Sequence, residues 1–586
     1  MKHWKWNILP LVSAEQIEAL FPLPGLDPLM AQLLHNRHLS NPDEARRFFA
    51  PDEALLHDPF LLNDMDKAVE CLNRSIISNE VIAVYGDYDV DGITSIVLLE
   101  QVLRHLGGRT CAYIPHRFEE GYGLNKAGLK SLADRGVKLV VTVDCGANAV
   151  AEVDYARSLG MDMIISDHHT IGDKLPRAIA EINPKRSDST YPFRDLAGVG
   201  VAFKLAQALL RVKGGGRRVE GPALSTLHPP TSTRGESDLL DLVALGTVAD
   251  MAPLVGENRY LVKRGLEVIN STTRVGVQQM IALSGLKSGR IDAEAIGYTL
   301  GPRLNAAGRL DSAAASYDLL STDDVKEAER LAEVLEVKNA ERQRLTNKTY
   351  AAALEALPSQ IGELDILVAS GRDFSMGLAG LVAGKLADHF YKPAVIIEEG
   401  DELCRGSARS IPGFNIVDAL SGCRDRLVRF GGHAQAAGFT LKTTELPRFK
   451  EELAILVCEA LGRAEGGEEI GPTLDIEAEV PLTCMNQQLY DGLLRLSPFG
   501  MGNPTPVFLS RQARVVERRQ VGNQKDHLRL RLSDGTQVWT AIGFGLGRLV
   551  DSLSDFVDIV YTPEESVWKG VTSIQLRIID LHASGE

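Results

Sequence analysis

The sequence predicts a mixed α/β chain in which a parallel-sheet domain precedes a long connecting helix, a second α/β domain and a C-terminal β-barrel. Three observations lead to this prediction. Strands and amphipathic helices alternate from Val81 to Asp167, a charged helical run begins at Ser321, and strands separated by turn signals dominate after Pro472. At 586 residues the chain is also too long for one hydrophobic core.

The first α/β region consists of short β-branched strands that alternate with amphipathic helices, which is typical of a parallel sheet. The carboxyl ends of such strands share one edge, and ligands bind outside that edge. The first 60 or so residues are predicted to be helical. The stretch from Val212 to Ser237 is rich in Gly, Pro, Ser and Thr, which indicates a flexible surface insertion.

The remainder of the chain changes character twice. A Ser-x-x-Asp capping box predicts that a long charged helix starts at Ser321 and acts as a spacer. A second α/β unit then ends near Gly462, and alternating strands with turns such as Asp534-Gly535 predict a small closed barrel. The predicted units are an N-terminal helical lead (1–60), a parallel-sheet domain (61–320), a connecting helix (321–355), a second α/β domain (356–465) and a barrel (470–586).

Composition narrows the class of protein. The formal net charge of −15 argues against a protein that coats nucleic acid non-specifically, although it leaves room for a local basic groove. The seven cysteines form no C-x-x-C pair, so neither a zinc cluster nor a disulfide framework is indicated. The N-terminus lacks the apolar core of a signal peptide, and no apolar run reaches the about 20 residues of a membrane helix. We therefore expect a cytoplasmic protein with no membrane association.

Acidic side chains follow several predicted strands. The segment "GDYDVDG" places Asp87, Asp89 and Asp91 directly after a buried strand, and Asp144 and the "DHH" segment at 167–169 follow later ones. Asp250 follows an apolar run that is either helix or strand. Crowded carboxylates repel one another unless a cation neutralises them. Carboxylates with imidazoles suit Mn²⁺ or Mg²⁺, and their number predicts two ions about 3.5–4 Å apart.

Each of these segments also has a simpler interpretation. An isolated "DYD" is most often a turn, "DHH" can cap a helix beside a surface histidine pair, and Asp144 and Asp250 can be turn or cap residues. Their common position after apolar runs favours metal binding over these alternatives.

The motifs "GDYDVDG", "VTVDCG", "SDHH", "ALGTVADMAPL", "GPRLNAAGRLD" and "FGGHAQAAGF" occur in this order and resemble the DHH phosphoesterases, most specifically the RecJ family of single-strand-specific exonucleases. The resemblance extends from about residue 60 to the C-terminus. It implies a DHH catalytic domain, a DHH-associated substrate-binding domain, an OB-fold-like DNA-binding domain, and 5′→3′ degradation of single-stranded DNA to mononucleotides with two Mn²⁺ or Mg²⁺ ions. It also implies a role in DNA repair and recombination.

Carried over by position, the resemblance implies a set of metal ligands: Asp87, Asp89, Asp91, Asp144, His168 and Asp250, with Asp167 and His169 completing or orienting them. Asp89, Asp91, Asp144, His168 and His169 are the expected catalytic residues. His169 is either a proton donor or phosphate contact, or a residue that orients ligands. Tyr85 stands where smaller relatives have a metal-binding histidine, and we expect Asp87 to replace that ligand.

The resemblance also implies residues that hold the strand and its 5′ end: Arg117, Arg303, Asn305, Arg309, Arg405, Ser407, Arg409 and His433. Guanidinium groups and hydroxyls suit phosphate, although any single arginine can be a solvated surface charge. His433 is predicted to lie in a glycine-flexible loop. One departure concerns Phe374 and Ser375, which replace the usual Trp and His, because serine cannot carry a positive charge.

The predicted barrel offers candidates for a single-strand groove: Arg511, Arg514, Arg518, Arg519, Arg529, Arg531, Trp539 and Phe544. Alternating arginines can equally be the solvent face of a strand. The expected partner is single-stranded DNA, with a helicase and a single-strand-binding protein as candidate protein partners and a monomer as the expected state.

Three other functions stay open at this point. One is a DHH-type phosphodiesterase for short oligonucleotides or cyclic dinucleotides, or a pyrophosphatase. The others are a catalytically silent replication scaffold and a single-strand-binding module with a vestigial hydrolase.

Overall fold

The computed structural model describes most of the chain. The described ranges are 4–20, 26–213, 236–462, 471–568 and 571–585. Apart from its ends, the insertion predicted at 212–237 lies outside them. Among the helices in these ranges, none has the length and apolar character that crossing a bilayer requires.

The N-terminal segment begins with a strand, where a wholly helical lead was predicted. Its elements are β1 (Lys5–Ile8), α1 (Ala14–Leu20), α2 (Pro28–Asn36) and α3 (Pro42–Phe49). The carboxylate of Asp27 accepts from the backbone N–H of Met30 at the start of α2, and Asn41 caps α3 in the same way, each immediately before a proline. An Asx cap followed by proline is a strong local signal for a helix start.

The predicted parallel sheet of the catalytic region is confirmed, with strand order β3-β2-β4-β5-β6. Its strands are β2 (Val81–Gly86), β3 (Arg109–Tyr113), β4 (Leu139–Val143), β5 (Asp162–Ser166) and β6 (Ala180–Ile182). Its helices are α4 (Met65–Ile77), α5 (Val90–His105), α6 (Lys126–Asp134) and α7 (Val150–Ser158). Apolar cores cover both faces of the sheet, so the strands are buried and their carboxyl ends share one edge.

A helical layer completes this region and packs onto α5 within the largest core. Its helices are α8 (Gly198–Lys213), α9 (Leu240–Ala249), α10 (Gly256–Ile269), α11 (Val275–Leu283), α12 (Ala293–Ala295), α13 (Gly301–Leu310) and α14 (Ala314–Ser321). A π-helical turn (Ile296–Leu300) joins α12 to α13.

The connecting helix α15 (Val325–Ala356) begins four residues later than predicted. Ser321 is the last residue of α14, and Asp324 caps α15 by accepting from the backbone N–H groups of Lys326 and Glu327. Asp324 is the better cap because a single carboxylate oxygen accepts both of these otherwise free donors.

The second α/β region contains a five-stranded sheet of order β10-β11-β9-β8-β7. Its elements are β7 (Leu367–Gly371), α16 (Met376–Phe390), β8 (Ala394–Glu398), β9 (Leu403–Arg409), α17 (Ile416–Gly422), β10 (Leu427–His433), β11 (Ala436–Lys442) and α18 (Leu446–Ala460). The predicted glycine-flexible loop around His433 is wrong, because His433 ends β10 and pairs with Ala436 across a tight hairpin.

The C-terminal region is a closed five-stranded barrel, as predicted. Its elements are β12 (Thr473–Ile476), β13 (Ala478–Glu479), α19 (Gln487–Leu494), β14 (Phe508–Val521), β15 (His527–Ser533), β16 (Val538–Gly543), β17 (Phe556–Trp568) and β18 (Val571–Ala583). Closure occurs because β14 pairs with both β15 and β17.

The N-terminal segment packs against this barrel. Strand β1 pairs in parallel with β12, and residues of α2 and α3 share one apolar core with the barrel strands. Arg37 forms a buried ion pair of 2.6 Å with Glu477, and the buried Arg259 of α10 donates to the carbonyl oxygen of Ser497. Strand β1 and helices α2 and α3 therefore pack with the C-terminal barrel, although they lie at the opposite end of the chain, whereas Leu55, Leu56 and Phe60 pack against the core of the catalytic region.

Candidate metal centre and phosphate-facing side chains

The carboxyl edge of the catalytic sheet gathers the predicted acidic residues. Asp87 to Asp91 follow β2, Asp144 follows β4, and Asp167 follows β5. Asp250 reaches the same place from the C-terminal end of α9, so the apolar run before it is a helix. Asp144 has a positive φ of 59°, a conformation that aspartate tolerates better than most residues. The sheet thus brings side chains from four separate segments to one point.

His168 lies at the centre of this cluster. Its Nε2 atom is 3.0 Å from Oδ1 of Asp144 and 3.8 Å from Oδ2 of Asp91, and its Nδ1 atom is 3.9 Å from Oδ2 of Asp250. Three overlapping sets offer ligand atoms that all lie within 4.8 Å of one another: Asp144, Asp167, His168 and His169; Asp91, His168 and Asp250; and Asp87, Asp89 and Asp144. Side chains shared between neighbouring sets are the arrangement expected around adjacent cations.

Three buried ligand-type atoms support the same conclusion. Oδ1 of Asp87, Oδ1 of Asp144 and Nε2 of His168 have no hydrogen-bond partner among the described residues. The Asp144 and His168 atoms approach to 3.0 Å without the alignment of a hydrogen bond. Buried polar atoms without partners are costly, and carboxylate oxygens with an imidazole nitrogen suit Mn²⁺ or Mg²⁺. The residues present therefore fit divalent cations.

Two of the carboxylates are already engaged by the protein. Both oxygens of Asp91 accept from the start of α8, from the N–H groups of Gly198 at 2.7 Å and Val199 at 2.8 Å. Asp167 accepts from three backbone N–H groups and, at 2.8 Å, from Nδ1 of His169. Asp91 thus caps a helix inside the cluster, and Asp167 holds the histidine pair in place.

Burial and mutual repulsion change the acidity of the cluster. Burial, with repulsion from Asp89, raises the pKa of Asp250 to about 7 and also raises the pKa of Asp87. Burial, together with the charge of His169, lowers the pKa of His168 to about 3, so its ring is neutral and able to ligate. Burial alone would lower the pKa of His169, but the Asp167 hydrogen bond and the charges of Asp167, Asp250 and Asp89 together outweigh it, and the pKa is raised.

Tyr122 was missed by the analysis of the sequence and lies at this centre. Its hydroxyl is 3.3 Å from both ring nitrogens of His169 and donates to the carbonyl oxygen of Asp144 at 3.4 Å. The residue is 54% exposed, so it is accessible to solvent although its hydroxyl contacts the cluster. A tyrosine between two glycines in a loop has no periodic pattern, so only its position in the motif "EEGYGLN" could have indicated it.

Two of the predicted phosphate-facing residues, Arg117 and Arg309, lie near carboxylates of the cluster, and two others, Ser407 and Arg409, lie together on the second α/β sheet. The guanidinium of Arg117 lies 5.0 Å from the centroid of the Tyr88 ring, within the "DYD" segment. Arg309 ends α13, and Ser407 and Arg409 lie on one face of β9 against Gly380 of α16. A Cβ atom on Gly380 would lie 2.9 Å from Nη2 of Arg409, so glycine allows this close approach.

Two other predicted residues are committed to internal contacts. Arg303 donates to Glu336 of α15 at 2.6 Å and to the carbonyl oxygen of Thr299. Oδ1 of Asn305 accepts from the backbone N–H of Val90 at the start of α5. They fix α13 against the connecting helix and the first motif.

The sheet face next to Arg409 contains a cavity of about 380 Å³. Arg405 and Arg429 line it with Phe430, and Gly431 and Gly438 form part of its lining. Arg405, Thr440 and Arg429 lie in one row across β9, β11 and β10, and Arg409, Ala436 and His433 lie in another. The predicted residues Arg405 and His433 therefore share this face with Arg409.

Phe374 and Ser375 precede α16. Phe374 is buried in an apolar core, while Ser375 takes the N-cap position without a side-chain cap hydrogen bond. The hydroxyl of Ser375 is consequently not used by the helix.

The barrel arginines fall into two groups. Arg511 is paired with Glu479 and Asp558, Arg531 lies 3.7 Å from Glu517, and Arg518 donates to the carbonyl oxygen of Leu553. Over the described ranges, Arg514, Arg519 and Arg529 have no ion pair, and Arg519 lies directly opposite Arg529 on β14 and β15.

Trp539 was predicted to line an exposed groove, and this prediction is wrong. It is buried in the barrel core and donates to the carbonyl oxygen of Met485 at 3.1 Å. Phe544 is 56% exposed and packs edge-on against His527. Alternation alone did not reveal which strand face is inside, because Trp539 is apolar enough for the core and polar enough for an interface.

Comparison with known proteins gives three family matches within the chain. The DHH family N-terminal domain matches residues 81–247, the DHHA1 domain matches 363–457, and the RecJ OB domain matches 476–580.

Relatives match over nearly the whole chain. The single-stranded-DNA-specific exonuclease RecJ of Bacillus subtilis is 36% identical over 99% of this chain and 71% of its own length. The protein of the same name from Escherichia coli is 33% identical over 96% of this chain and 94% of its own length. The crystal structure of RecJ from Thermus thermophilus in complex with Mn²⁺ is 28% identical, has a TM-score of 0.83, and covers 99% of this chain and 80% of that one. The corresponding Mg²⁺ complex has a TM-score of 0.77.

Proposed function

This chain belongs to the RecJ family, and from that membership we propose that it hydrolyses single-stranded DNA from the 5′ end, releasing mononucleotides, in DNA repair and recombination. It is a metal-dependent exonuclease whose cofactors are Mn²⁺ or Mg²⁺. The observation that carries this conclusion is the acidic cluster, which retains every expected carboxylate and leaves ligand atoms without partners. A silent scaffold would not need such a cluster, and an enzyme for dinucleotides would not need the barrel.

Two cations would be held by Asp87, Asp89, Asp91, Asp144, His168 and Asp250. When bound, they would lower the pKa of a water molecule and neutralise charge on the scissile phosphate. The protein's own contribution is to hold these ligands rigidly, since Asp91 is fixed by two backbone N–H groups and Asp144 and His168 are almost completely buried. We assign Asp167 to orientation, because its carboxylate accepts four hydrogen bonds from the protein, two of them from the backbone and ring of His169.

His169 would move the proton in this reaction. Its Nδ1 atom donates to Asp167, so Nε2 remains to accept or donate a proton towards the open side of the cluster. Tyr122 lies within 3.3 Å of the same ring and would hold it in that orientation.

The 5′-terminal phosphate would bind to Ser407 and Arg409 of the DHH-associated domain, with Arg117 closing the site from the catalytic domain. These three side chains offer a hydroxyl and two guanidinium forks, the donors that suit a phosphomonoester. Arg405 and His433, on the same sheet face, would contact the adjoining nucleotide beside the glycine-lined cavity. Ser375 provides no cation here, so the arginines carry the charge. Arg303 and Asn305 would act by positioning α13.

The barrel would bind the strand downstream, and Arg514, Arg519, Arg529 and Phe544 are the side chains available for it. We further propose a cytoplasmic monomer that receives DNA from a helicase and a single-strand-binding protein. The proposed domain limits are 61–320, 321–355, 356–465 and 470–586, with 1–60 as the N-terminal segment.

The test uses one single-stranded oligonucleotide labelled separately at each end, together with its blunt duplex. Mn²⁺-dependent release of mononucleotide from the 5′ label, stopped by chelator and absent on the duplex, is expected. Release from the 3′ end would contradict the polarity, and tight binding without cleavage would favour the scaffold.

A further inference from the structure

Four arginines that lie close enough to repel one another form no ion pair among the residues that the structure describes. They are Arg117, Arg309 of α13, Arg342 of the connecting helix α15 and Arg409 of β9. Their recorded contacts are a cation–π contact of Arg117, a bond from Arg409 to a carbonyl oxygen, and bonds from Arg342 to Asn339. Arg303, a near neighbour, shows the contrast because Glu336 neutralises it.

Such a cluster is unfavourable in the absence of an anion. Burial lowers the pKa of Arg309 to about 10, and repulsion from Arg117 and Arg342 adds to the effect. Burial likewise lowers the pKa of Arg342 and of Arg409. An uncompensated cation in a desolvated place destabilises a fold unless a ligand supplies the opposite charge. The carboxylate whose charge acts on Arg309 is that of Asp89, which belongs to the metal centre and would be neutralised there by bound cations.

The guanidinium of Arg342 is held in one orientation by a neighbouring side chain. Both Nε and Nη2 donate to Oδ1 of Asn339, at 3.2 and 2.9 Å, and Asn339 is itself buried one turn earlier on the same helix. These two bonds fix the plane of the guanidinium, and Nη1 has no hydrogen-bond partner in the part of the chain that the structure describes. A buried asparagine on this helix therefore orients one arginine, and a helix that acted only as a spacer would not require this contact.

Arg309 is influenced by the other three arginines, whereas Arg342 and Arg409 lie on separate elements. Arg409 is influenced by Arg117 and lies beside Ser407, at the proposed site for the terminal phosphate. Arg342 is influenced by Arg303 and in turn influences Arg309, both on α13, and Arg309 is the member next to Asp89. Lys338, one turn before Arg342 on α15, donates to Asp311 at 3.0 Å, which places this part of the connecting helix beside the end of α13 that carries Arg309.

We propose that Arg342 and Arg309 bind an internucleotide phosphate of the DNA strand, distinct from the 5′-terminal phosphate at Arg409. This assignment rests on the proposed function and adds the connecting helix to the substrate site. It makes the helix a binding element, whereas its charged sequence predicted only a spacer. A phosphodiester carries one negative charge, which matches the fork of an oriented guanidinium.

The experiment measures binding of the full-length protein to a fluorescent single strand by anisotropy, in chelator so that no cleavage occurs. The strand is used with a 5′-phosphate and with a 5′-hydroxyl, over a range of salt concentrations. Arg342→Ala should weaken binding of both strands about tenfold, the loss expected for one charged hydrogen bond. It should also make the slope of log K against log[salt] shallower by about 0.7, which corresponds to one phosphate contact on a single strand.

The matched control is Arg344→Ala, because Arg344 is exposed on the same helix and lies 3.9 Å from Glu341. It should bind both strands as the unaltered protein does. Arg342→Gln keeps a donor for Asn339 and removes only the charge, so it should reproduce Arg342→Ala even if the alanine variant packs poorly. Binding by Arg342→Gln that equals that of Arg344→Ala, or a loss restricted to the phosphorylated strand, would overturn the assignment.

Arg409→Ala separates this inference from the proposed function. It should weaken binding of the phosphorylated strand alone. If it instead affects both strands equally or neither, the end-binding assignment fails, while the comparison of Arg342 with Arg344 still decides the inference.

Discussion

Replacement of Asp91 is expected to damage the protein in two separable ways. Asp91 lies in the metal cluster, and its oxygens also accept from the N–H groups of Gly198 and Val199 at the start of α8. Asp144 provides the comparison, since its Oδ1 has no hydrogen-bond partner among the described residues. Asp91→Ala and Asp144→Asn should both weaken Mn²⁺ binding by the full-length protein. Only Asp91→Ala should also leave two buried donors without an acceptor.

The magnitude follows from those two donors. Each buried polar group that loses its partner costs about 1–3 kcal/mol, so Asp91→Ala should lower the free energy of unfolding of the metal-free protein by about 2–6 kcal/mol. Both substitutions remove one carboxylate from a repelling cluster, so relief of repulsion raises the stability of both variants and cancels from the comparison. Asn tolerates the positive φ at position 144, so Asp144→Asn adds little strain of its own.

The assay is urea unfolding of the metal-free proteins followed by circular dichroism, with Mn²⁺ affinity measured by calorimetry. Asp91→Ala should show a lower midpoint than Asp144→Asn and no recovery on addition of Mn²⁺. Equal midpoints for the two variants would refute the capping role. Unchanged Mn²⁺ affinity in either variant would refute that residue as a ligand.

Three further outcomes are expected. Because burial raises the pKa of Asp250 to about 7, the metal-free native state binds more protons than the unfolded state between about pH 4 and pH 7. The unfolding free energy of the metal-free protein should therefore fall as pH rises through that window, while the affinity for Mn²⁺ rises towards pH 8. Calorimetry that shows no proton release on Mn²⁺ binding would contradict the raised pKa of Asp250. In the barrel, Arg529→Ala should make the slope of log K against log[salt] for strand binding shallower by about 0.7, whereas Arg511→Ala, which replaces an ion-paired arginine, should leave the slope unchanged. Equal slopes for the two variants would contradict the proposed groove. A Cβ atom on Gly377 of α16 would lie 2.2 Å from a backbone oxygen of α13. Gly377→Ala should therefore slow cleavage and leave the affinity for Mn²⁺ unchanged. Gly384→Ala should not slow cleavage, because a Cβ atom at that position meets only an ordinary van der Waals contact. Equal cleavage rates for the two variants would contradict the importance of close packing between α16 and α13.

The sequence was sufficient for features that depend on local periodicity. Strand–helix alternation predicted the parallel sheet, and the position of acidic residues after apolar runs predicted the edge where Asp87, Asp144 and Asp167 meet. Both rest on rules that act over a few residues, namely the period of a strand and the shared carboxyl edge of parallel strands.

Features that depend on distant packing could not be predicted in this way. The first 60 residues gave a helical pattern, but nothing local indicates that α2 and α3 complete the core of a barrel more than 400 residues away. Trp539 follows the alternation of its strand, yet which face is inside depends on how the barrel closes. Tyr122 and Arg342 lie in a loop and on a charged helix, where neither periodicity nor charge distinguishes a functional residue from a solvated one.

The connecting helix influences the size of the product that the enzyme releases. Arg303 and Glu336 fix α13 to α15, and the absence of a side chain at Gly377 lets α16 pack directly on the end of α13. The metal centre and Ser407 and Arg409, on separate domains, are therefore held at a fixed separation rather than across a flexible hinge. If the terminal phosphate binds at Arg409 and the next phosphate at Arg342, each site holds one phosphate of the strand. The spacing of the two sites then determines which phosphodiester bond is presented to the cations. A rigid spacing of this kind would release the same product at every cycle, which is what an exonuclease that yields mononucleotides requires.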